Sequence, residues 1–246
     1  MINDIDKNKL TNQELVLLII LSSIQFVAVL DFVIIMPLGP QFMRVFFISP
    51  REFSIIVSSY TFSASIFGFL SAFFIDKFDR KKALITLLTG FTISTLLCAL
   101  SNSYWSLVIS RTIAGAFGGV MGSILFTIVG DNIKPEKRGR ATGMVMSGFA
   151  LASILGIPIG LYLASIYDWH SPFYMLIILC LIILTSAYIV LPTMNKHLQK
   201  KIKKDTLKEM KYVLSEPNHL RAFSLSAMLT MAGFTVTPYL SPYMVS

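Results

Sequence analysis

Seven long windows of this chain contain no Asp, Glu, Lys or Arg. They lie between Glu14 and Asp31, Glu52 and Asp76, Lys82 and Arg111, Arg111 and Asp131, Arg140 and Asp168, Asp168 and Lys196, and from Arg221 to the end. An α-helix needs about 20 mostly apolar residues to cross the hydrocarbon of a bilayer. The windows predict seven membrane helices, near residues 15–38, 53–75, 83–102, 104–130, 141–165, 171–192 and 220–244. The third and fourth share one apolar run, which "SNSYWS" at 101–106 divides. Tyr104 and Trp105 there, and Trp169 between the fifth and sixth helices, suit the aromatic belt of a membrane interface. The expected fold class is all-α, a polytopic membrane helix bundle.

Composition narrows the class. Of 246 residues, 54% are hydrophobic and 14% charged, against about 25% charged in an average soluble domain. Mean hydropathy is +0.71. An ordinary soluble domain and a disordered chain are both excluded. The net charge of +8 is no signal for nucleic acid, because the basic residues cluster between apolar windows rather than on a soluble face. With the N-terminus inside, eighteen Lys and Arg fall in cytoplasmic segments, Arg44 and Arg51 fall outside, and Arg111 is embedded. That asymmetry is the positive-inside pattern and predicts a cytoplasmic N-terminus. The first apolar run has no small-x-small cleavage site and is longer than the apolar core of a signal peptide, so it reads as a retained helix. The lipid bilayer is the first partner implied.

Catalytic signatures are missing. No HExxH, GxSxG or Walker-type loop occurs, and the glycine-rich "GAFGGVMG" at 115–122 lies mid-membrane with no strand before it. No enzyme, cofactor or metal site is expected. Cys98 and Cys180 are too few for a disulfide framework and lack CxxC spacing; they read as inert buried thiols. His170, His197 and His219 fall in loops on opposite sides of the membrane.

Small residues recur at helical spacing. Ser54, Ser58, Thr61, Ser65, Gly68 and Ala72 share one face of the second helix, which serves either close helix packing or a water-lined pathway. In the fourth helix Gly115 and Gly119, and Gly118 and Gly122, are four apart, and Arg111 lies on the same stripe. A charge facing lipid is costly, so Arg111 is expected to face the bundle interior. The fifth helix carries Gly148, Ala152, Gly156 and Gly160 at a step of four, with Pro158 inside it. Proline removes a backbone donor and clashes with the carbonyl four residues back, here that of Ile154, so a bent helix is expected.

Asp31 is the second intramembrane charge. Three readings stand: an acid that takes up and releases a proton, a static lock with Arg111 joining the first helix to the fourth, or a carboxylate in an unwound wet region near Pro37 and Pro40. Two turns, "DKFDRKKAL" at 76–84 and "GDNIKPEKRGRATG" at 130–143, mix acids with bases where helices meet water. They serve either as anchors and caps or as breakable salt bridges, each worth about 0–1 kcal/mol when exposed. The polar stretch Asn195–Arg221 has apolar residues spaced within a basic helical pattern. It suits the inner membrane face and reads as a linker.

Together these segments resemble the major facilitator superfamily over roughly residues 15–246. "GFLSAFFIDKFDRKKAL" at 68–84 resembles the family's loop between helices two and three, Gly-x-x-x-Asp-Arg-x-Gly-Arg-Arg. Asp76, Lys77, Arg80 and Lys81 take its charged positions, Ala72 stands at the first glycine and Asp79 at the second. "RTIAGAFGG" at 111–119 resembles the helix-four motif of an arginine followed by spaced glycines. "LGIPIG" at 155–160 resembles the helix-five antiporter motif, with Ile157 separating Gly156 from Pro158. "LDFVIIMPLGPQF" at 30–42 resembles the helix-one region of drug and sugar efflux members.

The resemblance implies two six-helix halves around a central cavity. This chain then supplies a cytoplasmic N-terminus (1–14), a six-helix bundle (15–192), a basic linker (193–221) and helix seven (222–246), a fragment whose partner is the missing C-terminal half. It implies a secondary transporter of the plasma or inner membrane, exporting small organic molecules against protons. Asp31 and Arg111 would couple to the proton, and Asp76, Lys77, Arg80 and Lys81 would form a gating loop contacting helix eleven. Gly115, Gly119, Gly156, Pro158 and Gly160 form the helix-packing motifs, and Gln25, Met36, Ser58 and Tyr60 are candidate cavity residues. Uptake by symport or uniport, and a non-transporting half-protein, are the alternatives.

Overall fold

The computed structural model describes residues 10–195, 211–213 and 215–245, with 233–245 described by their backbone alone. Helix α1, Asn12–Val33, opens at Thr11, whose hydroxyl accepts from the Glu14 N–H while the Glu14 carboxylate accepts from the Thr11 N–H at 2.8 Å. This reciprocal cap satisfies donors that a helix start leaves open. The chain then turns through residues 34–38 into α2, Gly39–Phe46. The first membrane helix was expected to reach residue 38 and stops at Val33 instead. Pro37 disfavours helical geometry in the residue before it, and Pro40 restarts the helix in the first turn of α2. Helix α3, Pro50–Ser71, repeats the reciprocal cap with Ser49 and Glu52. Helix α4, Arg80–Ala99, is capped by Asp79, and α5, Tyr104–Asn132, by Ser103 with Ser106.

The expected fifth helix is a composite of α6 (Arg138–Leu151), a π-helical turn (Ala152–Gly156) and α7 (Ile157–Ile166). Pro158 cannot donate to the Ile154 carbonyl, and the chain widens by one residue so that the Ile157 N–H reaches Ala152. A π-turn is one recognised response to a disturbed helical ladder. Helices α8, Ser171–Val190, and α9, Pro217–Val245, follow. Among the described residues there are six helices long and apolar enough to cross a membrane, α6 to α7 counting as one. The seventh expected span is helical as α9, whose second half is described by its backbone alone. His219 was assigned to a loop and lies in α9, His170 precedes α8, and His197 lies outside the described residues, as does most of the basic linker.

Packing pairs α3 and α4 with α5, α1 with α6 and α8, and α4 with α8, while α9 touches α2 and α3. Lipid is as apolar as leucine, so close backbone approach rather than hydrophobic expulsion holds such helices together. The glycines permit that approach. A Cβ at Gly115 would collide with the Tyr60 carbonyl, at Gly119 with the Ala64 carbonyl, and at Gly148 with the Ser22 carbonyl. At Gly156 and Gly160 it would come within 2.8 Å of the Leu30 and Ile34 side chains of the α1 segment. Pro158 itself is exposed.

The small-residue stripe of α3 meets α5 only in part: Gly68 lies against the Gly119 carbonyl and Ser54 is half-buried. Ser58, Thr61, Ser65 and Ala72 are exposed, and the face toward α5 is carried by Phe53, Ile56, Tyr60 and Ser63. Trp105 is 66% exposed, whereas Trp169 is buried within the protein. Trp169 is 4% exposed, stacked on His170 at 3.7 Å and edge-on to Phe42 at 5.1 Å and Phe46 at 5.5 Å. It ties α2 to the start of α8 through these ring contacts, the edge-on geometry that aromatic pairs prefer.

Candidate functional site

Helix α1 places Asp31 near its end and α5 places Arg111 opposite. Arg111 Nη1 donates to Asp31 Oδ2 at 2.7 Å, and the two side chains are 1% and 0% exposed. The intramembrane arginine therefore faces the bundle interior, as expected. The wet, unwound setting considered for Asp31 is absent: the residue is helical and fully buried. The pair is joined by one bond rather than the two-pronged fork that guanidinium and carboxylate can form. Asp31 Oδ1 and Arg111 Nε have no hydrogen-bond partner among the described residues. A buried pair with unmet capacity contributes little net stability, yet removing one partner costs about 3–5 kcal/mol because the other charge is left unpaired.

Tyr60 of α3 completes the cluster. Its ring lies under the guanidinium, with Arg111 Cζ 4.4 Å from the ring centroid, and Phe32 packs on the same ring at 5.3 Å. The other three candidate cavity residues are not brought here. Gln25 sits beside Gly148 at the contact of α1 and α6, Met36 is buried in the turn after α1, and Ser58 is exposed with its hydroxyl donating to the Ile55 carbonyl. Cys98 of α4, read as an inert thiol, is buried beside the guanidinium. Sequence reasoning missed Cys98 and Phe32 as neighbours of the pair; Phe32 adjoins Asp31 in the chain, whereas nothing in the spacing of Cys98 signals Arg111. A separate cavity of about 620 Å³ lies between the start of α1, Asn132 and Val190–Met194. None of the four candidate cavity residues is among its lining residues.

The turn between α3 and α4 is built around Arg80, 4% exposed. Its Nη2 donates to Asp76 Oδ1 at 2.7 Å, its Nε to Asp131 Oδ2 at 3.0 Å and its Nη1 to the Ile75 carbonyl at 3.1 Å. One planar cation thereby joins the α3–α4 turn to the end of α5. The guanidinium of Arg80 is buried, while its partners Asp76 and Asp131 stay exposed at 65% and 36%, so the junction sits at the water-facing edge of the bundle. Lys77 is exposed, and the Lys81 ammonium lies 5.6 Å above the Tyr188 ring. Asp79 accepts from the Lys82 N–H at 3.0 Å and the Met194 N–H at 2.9 Å. In the second turn Arg138 donates to the Gly130 and Ile133 carbonyls at 2.7 and 3.1 Å, capping the end of α5, and Lys137 pairs with Glu14 at 3.2 Å. Among the described residues, no group of His, Cys, Asp and Glu has the makings of a metal site.

Comparison with known proteins finds similar chains. The family model described as Major Facilitator Superfamily matches residues 21–246. The uncharacterized MFS-type transporter YceJ of Bacillus subtilis is 29% identical over 170 residues, 69% of this chain and 43% of that protein. The "Probable sugar efflux transporter" of Pasteurella multocida is 26% identical over 192 residues, 78% of this chain and 46% of that protein. The chain thus spans about half the length of these relatives. Among solved structures, an inward-facing, unoccupied bacterial homolog of the human lysosomal transporter Spinster superposes with a TM-score of 0.69 at 16% identity. That match covers 96% of this chain and 56% of the other.

Proposed function

This chain belongs to the major facilitator superfamily and is a multi-pass integral membrane protein, and on that premise we propose that it forms the first half of a proton-coupled exporter of small organic molecules. The observation that carries the proposal is the buried Asp31–Arg111 pair, bonded once at 2.7 Å with acceptor and donor capacity to spare. A static lock would be expected to fork. A pair that must part when the carboxylate takes up a proton is better served by a single bond. In this reading Asp31 loads a proton from the outside, Arg111 stabilises the carboxylate once the proton leaves inward, and the exchange drives alternating access.

The N-terminus is cytoplasmic and the membrane is the plasma or inner membrane, as the positive-inside asymmetry supports. The Arg80 junction, with Asp76, Lys77 and Lys81, acts as the gating latch. The exposed Ser58, Thr61 and Ser65 face of α3 lines the pathway shared with a second half, for which 193–221 is the linker and helix seven the beginning. The export direction is supported by the helix-five resemblance and by the sugar efflux relative. Substrate is tested in inside-out vesicles holding the complete protein, with the lumen acidified and a panel of sugars and organic cations added. Export by antiport gives alkalinisation of the lumen that Asp31→Asn abolishes. Full proton-driven export by Asp31→Asn would leave the pair a static lock.

A further inference from the structure

The proton-coupling reading leaves one cost unaddressed. When Asp31 is neutralised, Arg111 stays charged, since guanidinium does not give up its proton in proteins. It is then a cation in a low-dielectric interior without its anion. Asp31 is the one carboxylate paired with Arg111 among the described residues. Among the described residues two other groups face the guanidinium: the uncharged thiol of Cys98 and the π face of Tyr60, 4.4 Å away, and of these the ring carries the larger fixed negative face. A cation over a desolvated aromatic ring gains substantially more than one at an exposed site.

We propose that Tyr60 is a positioning residue of the coupling site: its ring face holds the Arg111 guanidinium in the bundle interior while Asp31 is neutral. The proposal rests on the proton-coupling reading for its functional meaning, but its geometry stands on its own. The residue is held at its ring, its hydroxyl and its backbone. Phe32 backs it at 5.3 Å. A Cβ at Gly115 would collide with the Tyr60 carbonyl, and one at Gly118 with the Tyr60 hydroxyl. The two glycines that follow Arg111 at four and seven residues therefore form the seat that brings the ring under the arginine one turn and two turns earlier. The same stripe that lets α3 and α5 approach also sets the distance between ring and guanidinium.

A mutant cycle separates this role from packing. Asp31→Asn imitates the neutral acid and leaves Arg111 held by the ring. Unfolding of the full chain in lipid nanodiscs is followed by reaction of Cys98 and Cys180, both buried in the folded chain, with a thiol-reactive dye. Tyr60→Leu is expected to lower the melting temperature by about 4 °C more in the Asp31→Asn background than in the wild-type background. Tyr60→Phe, which keeps the ring face, is expected to show no such excess. Failure of the double variant alone to fold, with both single variants folded, is the same result in stronger form. Equal losses in the two backgrounds would overturn the proposal.

A second measurement does not depend on the Asn variant. Pentafluorophenylalanine in place of the Tyr60 side chain keeps the ring's shape and drains negative charge from its face. It is expected to melt about 4 °C below Tyr60→Phe; identical melting would overturn the proposal. Neither measurement involves transport. Retained export by Asp31→Asn would therefore sink the proton reading and leave the ring–arginine contact standing, whereas a null cycle sinks only the role of Tyr60.

Discussion

Asp79 stands where the resembled loop carries glycine, and its backbone accounts for the exchange. Its φ of −56° lies in ordinary space for any residue, so glycine's freedom is not used there. The side chain instead caps α4 and holds the Met194 N–H. Asp79→Ala is expected to cost about 1 kcal/mol, the usual loss of an N-cap, and Asp79→Asn much less, as read by thermal unfolding. Arg80 is less replaceable. It serves two carboxylates and a carbonyl from one plane, and a lysine ammonium lacks that fork. Arg80→Lys is expected to destabilise by about 1–3 kcal/mol, with the loss shared between the α3–α4 turn and the end of α5. Faster hydrogen exchange in one of those two segments alone would contradict the shared junction.

Between helices, the glycines divide by what they face. Gly115 and Gly119 sit against backbone carbonyls of α3, which cannot move aside, while nothing lies within 4 Å of a Cβ placed at Gly122. Gly115→Ala is expected to lose about 1–3 kcal/mol by overpacking. Gly122→Ala is expected to be neutral or to gain up to about 1 kcal/mol, since alanine is the better helix former. Melting of the two variants side by side checks the contrast. Helical spacing grouped all of these glycines on one stripe, but the depth of the facing groove differs along it. The proline in the fifth helix teaches a related lesson. Its presence announced a disturbed ladder, and the π-turn that resolves it next to Leu30 became visible only with both helices in place.

At the scale of the whole molecule, the orientation proposed from the charge asymmetry puts the exposed tip of α2 outside and the turn after α5 inside. Phe47, 95% exposed, and Lys134 mark those two ends. With both native thiols buried, Phe47→Cys is expected to react with an impermeant maleimide on intact cells, and Lys134→Cys only after permeabilisation. The reverse pattern would invert the orientation proposed above. Among the described residues, the other four membrane-length spans pack against α1 or α5, while α9 touches α2 and α3.

Fold class, number of early spans and family were legible from the chain, because hydrocarbon demands long uncharged helices and tolerates charge only at special places. Asp31 and Arg111 stood out for the same reason: each is a charge where the solvent offers none. Their pairing, eighty residues apart in sequence, is a contact that no local pattern encodes. Tertiary structure also decided which neighbours matter. It placed Tyr60 under Arg111, left Ser58 on an open face, buried Trp169 among aromatic rings, and joined Asp76 and Asp131 through one buried guanidinium. Periodicity names the face of a helix, but only the packed bundle determines whether that face meets lipid, another helix or a buried charge.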